Sequence, residues 1–485
     1  MEVHRIVRIA HICRRWRDLA LNHKALWTTI DITGPRLAMY FLALSGDLHL
    51  RCVIPVNPSS GGYDVFSGSK KLIDKLSGRV SEIDFRLGNA TVPFLAASDF
   101  FDNGSDFPQL RSVTVVGMTR NTCLLPFSYN PRWNLKTLKL MKVRLEGWAW
   151  NALVFSGLEI LQLENCSDFP QDSLYPFLDA LERCPILKVL HLHSSCPRHH
   201  EILFTNTPHK IVTLNQCQLF EIRYDSATVI ANLMAHIALP PSATLDLRAA
   251  RITGQDISLR PHMVFHVLPS NTSHLKPLQG AKRARLSCTP GNARIALRTY
   301  PDLRDGIPCR LRLAMDRVSP MQISAERRGN IMKELESILG QTIEYFVYLG
   351  HLDPGCAEEI DGWRMVLEQW FDLRTLSFVP PKVTTSVQDC QDILTFLMAP
   401  QLLGDTDTIP CPKLKYIKMQ GYPVNLETLS LIDLFLVAWR IRPSPVPFRR
   451  ITLYNCVWSD ESQLRIFHSG PTLLRKGGQF SACIE

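Results

Sequence analysis

Five residues within a short span, His191, His193, Cys196, His199 and His200, carry the side chains best able to bind a transition metal. Imidazole nitrogen and thiolate sulfur are the usual zinc donors, and residues two apart on a strand share a face, so His191 and His193 would point the same way. A turn through Pro197 would bring Cys196 or His199 round to complete a tetrahedral set. The spacing matches no zinc module, and no pair of cysteines separated by two residues answers it elsewhere. No metal and no cofactor is therefore assigned.

Other chemistry was sought and is absent from the pattern. Gly62 to Lys70 has the glycines and lysine of a phosphate loop in the wrong spacing, and reads as a Gly/Ser surface turn. There is no H-E-x-x-H, no G-x-S-x-G and no dinucleotide fingerprint. Glu358, Glu359 and Asp361 are carboxylates without a visible partner geometry. The chain reads as a non-enzyme.

The 485 residues are 46% hydrophobic, ample for a core, and they contain no apolar run of membrane-spanning length and no apolar secretory segment after Met1. A cytoplasmic or nuclear protein that does not enter a membrane is expected. Fourteen cysteines are scattered, many beside strand-like runs, as Cys166 and Cys456 are, and read as buried reduced thiols. A net charge of +9 is mild over this length. The basic clusters Lys282-Arg283-Arg285 and Arg327-Arg328 have no interleaved aromatic platform, so no nucleic-acid partner is expected.

One short pattern organises most of the chain: an apolar residue, two variable positions, a second apolar residue, one variable position, a third. Its clearest copies are Leu135-x-x-Leu138-x-Leu140, Leu158-x-x-Leu161-x-Leu163 and Leu187-x-x-Leu190-x-Leu192, with looser ones starting at Val80, Leu110, Leu219, Ile343, Leu373, Leu414 and Phe448. Starts at 110, 135, 158 and 187 lie 25, 23 and 29 residues apart, whereas 373 and 414 lie 41 apart. Asn165-Cys166 and Asn455-Cys456 follow two of the copies, and helical stretches span Ser173 to Arg183, Ala227 to Ala238, Asn330 to Leu339 and Leu426 to Trp439. The pattern resembles the strand of a leucine-rich repeat, whose period is about 20 to 29 residues. The implied fold is α/β: an irregular leucine-rich-repeat solenoid with parallel strands on the concave face and helices outside, over 34–485 and least regular at 245–339.

In such an array the second and third apolar residues point into the core, and those between line the sheet face. That selects Thr137, Lys139, Met141, Ile160, Gln162, Glu164, Val189, His191, His193, Glu221, Arg223, Thr375, Ser377, Tyr416, Lys418, Gln420, Arg450, Thr452 and Tyr454. Their mixed charge, hydroxyls and aromatics suit recognition of a protein. The candidate target-binding residues are Lys139, Gln162, Glu164, His191, His193, Arg223, Tyr416, Lys418, Arg450 and Tyr454.

Before the repeats, Val3 to Ala20 lacks Pro and Gly, and Ile6, Ile9, Cys13, Trp16 and Leu19 share one helical face. Asn22 is a plausible stop, after which Leu26, Trp27, Ile30 and Ile32 form an apolar segment able to fold back over that face. Ile12-Cys13-Arg14-Arg15-Trp16, Leu19-Ala20 and Leu26-Trp27-Thr28-Thr29-Ile30-Asp31-Ile32 resemble, in order and spacing, the C-terminal half of an F-box of the large fungal families. Residues 1–33 would then be a small helical partial F-box. The family's Leu-Pro-x-Glu start and first helix would precede Met1, and that helix carries much of the adaptor contact.

The resemblance implies the substrate receptor of an SCF-type, cullin-based ubiquitin ligase. A Skp-type adaptor would be held by Ile9, Ile12, Trp16, Leu19, Leu26 and Trp27, and an unknown target protein by the repeat face. Two other readings stay open: a repeat protein that binds or scaffolds without a ligase, and an α/β enzyme with convergent ionisable groups within 245–339.

Overall fold

The computed structural model describes residues 11–32, 35–56, 76–87, 107–117, 134–143, 145, 156–167, 173–197, 210–251, 265–269, 271–278, 280–289, 294–301, 309, 311–315, 325–339, 342–380, 387–399, 411–441, 450–458, 474–476 and 479–484. It is a mixed α/β structure dominated by parallel strand pairing. Two compact units divide it: 1–224 with 236–240, and 225–235 with 241–485. Residues 29–31, within the expected partial F-box, pair in parallel with 51–53.

In the first unit, helix α1 (Arg14–Asn22) and a 3-10 turn (Lys24–Trp27) lead into β1 (Thr29–Asp31), α2 (Pro35–Leu44) and β2 (Leu50–Val56). Strands β3 (Val80–Leu87), β4 (Ser112–Gly117), β5 (Thr137–Met141) and β6 (Ile160–Glu164) follow, then α3 (Leu174–Glu182), β7 (Val189–His193), the short β8 (Val212–Thr213) and β9 (Leu219–Ser226). From β1 to β7 each strand pairs in parallel with the next, and β7 pairs with β9. Side chains alternate across a strand, so the pairing stacks like with like. Ile30, Cys52, Ile83, Val113, Leu138, Leu161, Leu190 and Phe220 form one buried row. Ile54, Phe85, Val115, Leu140, Leu163, Leu192 and Ile222 form the next.

The pairing corrects two readings of the sequence. Leu219 stands opposite Val189 on the water-facing side, so the copy expected to start at Leu219 starts at Cys217, with Phe220 and Ile222 inside. And Trp27-x-x-Ile30-x-Ile32 is itself a copy: all three side chains are buried and β1 lies in register on β2.

Four strands leave the sheet through a left-handed residue. Lys142, Asn165, Ser194 and Gly421 occupy the same place after their strands, with φ of 56°, 52°, 49° and 75°. Their backbone N–H groups donate across to Glu164, His193, Arg223 and Tyr454, at 2.7, 2.7, 2.6 and 2.9 Å. Just beyond that step the buried Cys166 thiol donates to the Leu140 carbonyl at 3.4 Å, and Cys456 makes the matching bond to Met419 at 3.5 Å. The Asn-Cys parallel thus holds for the cysteines, while Asn455 lies within a strand that continues past it. Burial pushes the Cys166 thiol up, as expected of an inert structural cysteine, and the cysteines whose side chains are described are free thiols.

The second unit begins with α4 (Ala227–Ala235); the chain returns to the first unit for β10 (Ile237–Ala238), which pairs with β8, and then enters β11 (Thr244–Arg251) of the second. The stretch 245–339, where the sequence shows no clean repeat, holds β11, β12 (Arg283–Thr289), β13 (Arg294–Tyr300), β14 (Leu311–Met315) and helix α5 (Ala325–Leu339). Here β12, β13 and β14 pair antiparallel, β14 is parallel to β11, and β12 is parallel to β15 (Tyr345–Leu349). Parallel order then resumes through β16 (Thr375–Val379), β17 (Tyr416–Gln420) and β19 (Arg450–Trp458). Between them run α6 (Ala357–Gln369), α7 (Val387–Leu397), β18 (Pro423–Val424) and α8 (Leu426–Ile441). The antiparallel hairpin β20 (Leu474–Lys476) and β21 (Gln479–Ile484) closes on β19. Trp363 of α6 and Trp370 just after it meet Phe346, Tyr348 and Phe378 edge-on or tilted, which puts this helix on the core side of the sheet.

Helices α5 and α6 cross through two glycines. A Cβ on Gly362 would meet the Gly329 backbone, and one on Gly329 the Glu358 carbonyl, so only hydrogen fits at either place. That close approach buries an ion pair: Arg328 Nε and Nη2 donate to the two Glu359 oxygens, both at 2.7 Å, and the Asp353 N–H donates to Oε2 at 3.1 Å. Burial pushes the Glu359 carboxyl up against the opposing pull of Arg328. Arg328 is therefore an interior residue, not part of a surface basic cluster. Glu358, Glu359 and Asp361 likewise do not share a site: Glu358 is exposed beside Cys356, and Asp361 pairs with Arg364.

Three expected helices differ in extent: α4 stops at Ala235, where His236 bonds to the Lys210 carbonyl, α5 begins at Ala325, and α8 reaches Ile441.

Candidate functional site

Helix α1 starts later than its apolar periodicity predicts. Cys13 is extended (φ −158°, ψ 170°) and His11-Ile12 form a turn, so among the described residues the helix begins at Arg14. The helix still ends at Asn22, as expected. Ile12, Trp16 and Leu19 are 66%, 51% and 58% exposed, while Ala20 is buried. The segment from Leu26 does not cover them. Trp27 is 2% exposed: its indole N–H donates to the Ala20 carbonyl at 2.7 Å and its ring meets Phe41 edge-on at 4.9 Å. Leu26 is half-buried. Of the expected adaptor residues, Ile12, Trp16 and Leu19 are thus available, Trp27 belongs to the core, and Ile9 lies outside the described residues. Half-exposed Tyr40, edge-on to Trp27 at 6.4 Å, is an addition that nothing in the local pattern marked.

The second surface is the water-facing side of the sheets. In the first unit Lys139, Gln162, His191 and Glu221 stand side by side in one row, and Met141, Glu164, His193 and Arg223 in the next. In the second unit Tyr416 pairs with Arg450 and Gln420 with Tyr454, and Lys418 lies 5.3 Å from the Tyr345 ring centre. The ten expected target-binding residues therefore form two groups, one on each unit.

Within the first group three side chains converge. His193 Nε2 lies 3.3 Å from Glu221 Oε1 and His191 Nε2 lies 3.8 Å from Oε2, and the two imidazoles stack at 5.6 Å with 17° between planes. Arg223, more exposed, also pairs with Glu221. Burial holds the His191 imidazole below its ordinary value, against the opposing pull of Glu221, so its neutral form is favoured. Cys196, expected to turn back toward the histidines, is buried in the core, and His199 and His200 lie outside the described residues, as does Gly62 to Lys70.

In the stretch 245–339 the basic cluster gains neighbours that the sequence pattern did not mark, Arg298, Arg312 and Asp246. Arg285, Arg298 and Arg312 stand directly opposite one another on adjacent strands, with Asp246 opposite Arg312 and bonded to Arg248. Like charges in register repel unless a counter-charge joins them. Arg283 sits 5.0 Å over the Tyr345 ring and 5.6 Å from Tyr300, so the aromatic partners absent from the local sequence come from neighbouring strands. Among the described residues no helix is long and apolar enough to cross a membrane. In comparisons with known sequences, no protein-family model and no curated protein matches the chain.

Proposed function

We propose that the chain is a non-catalytic substrate receptor of a cullin-type ubiquitin ligase, built as an irregular leucine-rich-repeat solenoid and acting in the cytoplasm or nucleus. The observation that carries this reading is the pair of exposed apolar side chains Trp16 and Leu19 on α1, with exposed Ile12 in the turn before it, within the stretch that resembles an F-box. Large apolar side chains left in water along one helix face suit a docking surface, and a central tryptophan is a typical anchor. On this reading a Skp-type adaptor packs on those side chains, and Trp27 supports them from inside. The sheet faces take a target protein, the second unit's arginine row favouring an acidic segment. Ubiquitin is transferred by a separate enzyme, and the receptor contributes proximity. Strands paired in chain order and the recurrent left-handed exit support the solenoid.

A second reading has its own observation. Trp27 to Ile32 is fully accounted for as the first rung of the sheet, which leaves less of the F-box resemblance to explain by adaptor binding and favours a scaffold without a ligase. Direct binding of the purified chain to a Skp-type adaptor, with Trp16→Ala beside it, separates the two. Saturable binding weakened by the substitution supports the receptor. A well-folded chain that does not bind supports the scaffold.

A further inference from the structure

We propose that His191, His193 and Glu221 form a site for a borderline divalent transition-metal cation, Zn²⁺ foremost. This holds whether or not the chain serves a ligase. Two nitrogens and a carboxylate oxygen are a donor set that zinc accepts, and three protein ligands leave a position for water or for a partner's side chain. One ligand atom from each residue lies within 4.8 Å of the other two. Zinc–ligand distances of about 2.0–2.1 Å in a tetrahedral site put neighbouring donors roughly 3.3 Å apart. The separation of His193 Nε2 from Glu221 Oε1 is already 3.3 Å; His191 Nε2 lies 3.8 Å from the other oxygen, Oε2, and its stacked ring must rotate to share the cation.

The backbone makes this arrangement. His191 and His193 lie two apart on β7 and so share a face, and parallel register sets Glu221 of β9 directly opposite His191. Both Nε2 atoms are buried without a hydrogen bond of good geometry, while Glu221 Oε1 is held by Arg223. Buried polar atoms are rarely left unpaired, and a bound cation would satisfy both nitrogens at once. The cation in competition is Arg223, which pairs with Glu221 but is 45% exposed and can turn to water; Lys139 is the other nearby positive charge.

The test uses the full untagged chain, stripped with chelator and titrated with Co²⁺ by visible absorption and with Zn²⁺ by calorimetry. Saturable binding with the ligand-field spectrum of a nitrogen/oxygen site is expected. His193→Gln and Glu221→Gln should each weaken it by more than about 100-fold, the upper range for changes that only touch a ligand's support. Arg223→Ala, which removes the competitor, should tighten it roughly fivefold, the worth of a partly exposed ion pair. Zn²⁺ should raise the melting temperature of the parent chain and not of Glu221→Gln, whose near-isosteric change keeps the test decisive should His193→Gln fold poorly. The proposal is overturned if the folded chain shows no saturable binding, if Glu221→Gln binds as well as the parent, or if Co²⁺ gives the intense near-ultraviolet bands of thiolate ligation.

Discussion

Arg328→Met keeps an apolar stem of similar length on α5 and removes both guanidinium hydrogen bonds to Glu359. The carboxylate, 0% exposed, is left with the Asp353 N–H. Hydrogen bonds to charged groups contribute about 1.5–3 kcal/mol each, and stranding one member of a buried pair costs about 3–5 kcal/mol. A loss of about 3–5 kcal/mol at neutral pH is expected, seen as a melting temperature lower by roughly 6–20 °C for a unit of this size. The loss should depend on pH in a definite sense. Burial already pushes the Glu359 carboxyl up, and without Arg328 that push is unopposed. A carboxyl whose folded value exceeds its unfolded value loses stability as pH rises from the unfolded value through the folded one. The variant should therefore be least impaired in acid and fall further behind the parent as pH rises, until Glu359 is ionised in its folded state. Urea unfolding of both proteins across a pH series measures this. Arg328→Met with Glu359→Leu should recover most of the loss, because two apolar groups leave nothing stranded. A deficit below about 1 kcal/mol that does not vary with pH would refute the buried pair.

Leu161→Asp places an unpaired charge in the buried row between Leu138 and Leu190 and should unfold or aggregate the protein, read by circular dichroism; an unchanged melt would refute the register. Lys139→Glu, on the water side of the neighbouring strand, should change stability by no more than about 0.5 kcal/mol in the same assay. Gly362→Ala should cost about 1–3 kcal/mol by forcing α5 and α6 apart, although alanine is the better helix former.

The strands were legible because each is anchored by three apolar residues at fixed spacing, and among the described residues every expected start except Leu219 falls in register; Phe448 lies outside them. Leu219 misled because Leu219-x-x-Ile222-x-Tyr224 satisfies the same string, and only its pairing with Val189 shows which alternation faces inward. For the same reason Glu221 was legible as a surface residue but not as a neighbour of His191: inter-strand register joins them, and no local pattern encodes it. Arg328 was read only as half of a basic cluster and Glu359 as a carboxylate without partner geometry, and neither sequence neighbourhood shows that the two are buried together. Their meeting depends on a helix crossing, whose one trace in the sequence is a glycine inside each helix. The stretch 245–339 stayed opaque because its antiparallel strands abandon the period that identifies the rest.

Trp27 ends the turn after α1 and at the same time anchors the first strand, with its N–H fastened to the helix it follows. Helix and sheet therefore share a hinge pin in place of a leash. A domain on a flexible linker delivers its cargo over a volume set by chain length. Here the indole N–H ties α1 to the first unit's sheet at Ala20, so a partner held on Trp16 and Leu19, as proposed, would be aimed rather than merely kept near. Lengthening the turn at Lys24 would leave those side chains in place while spoiling that aim.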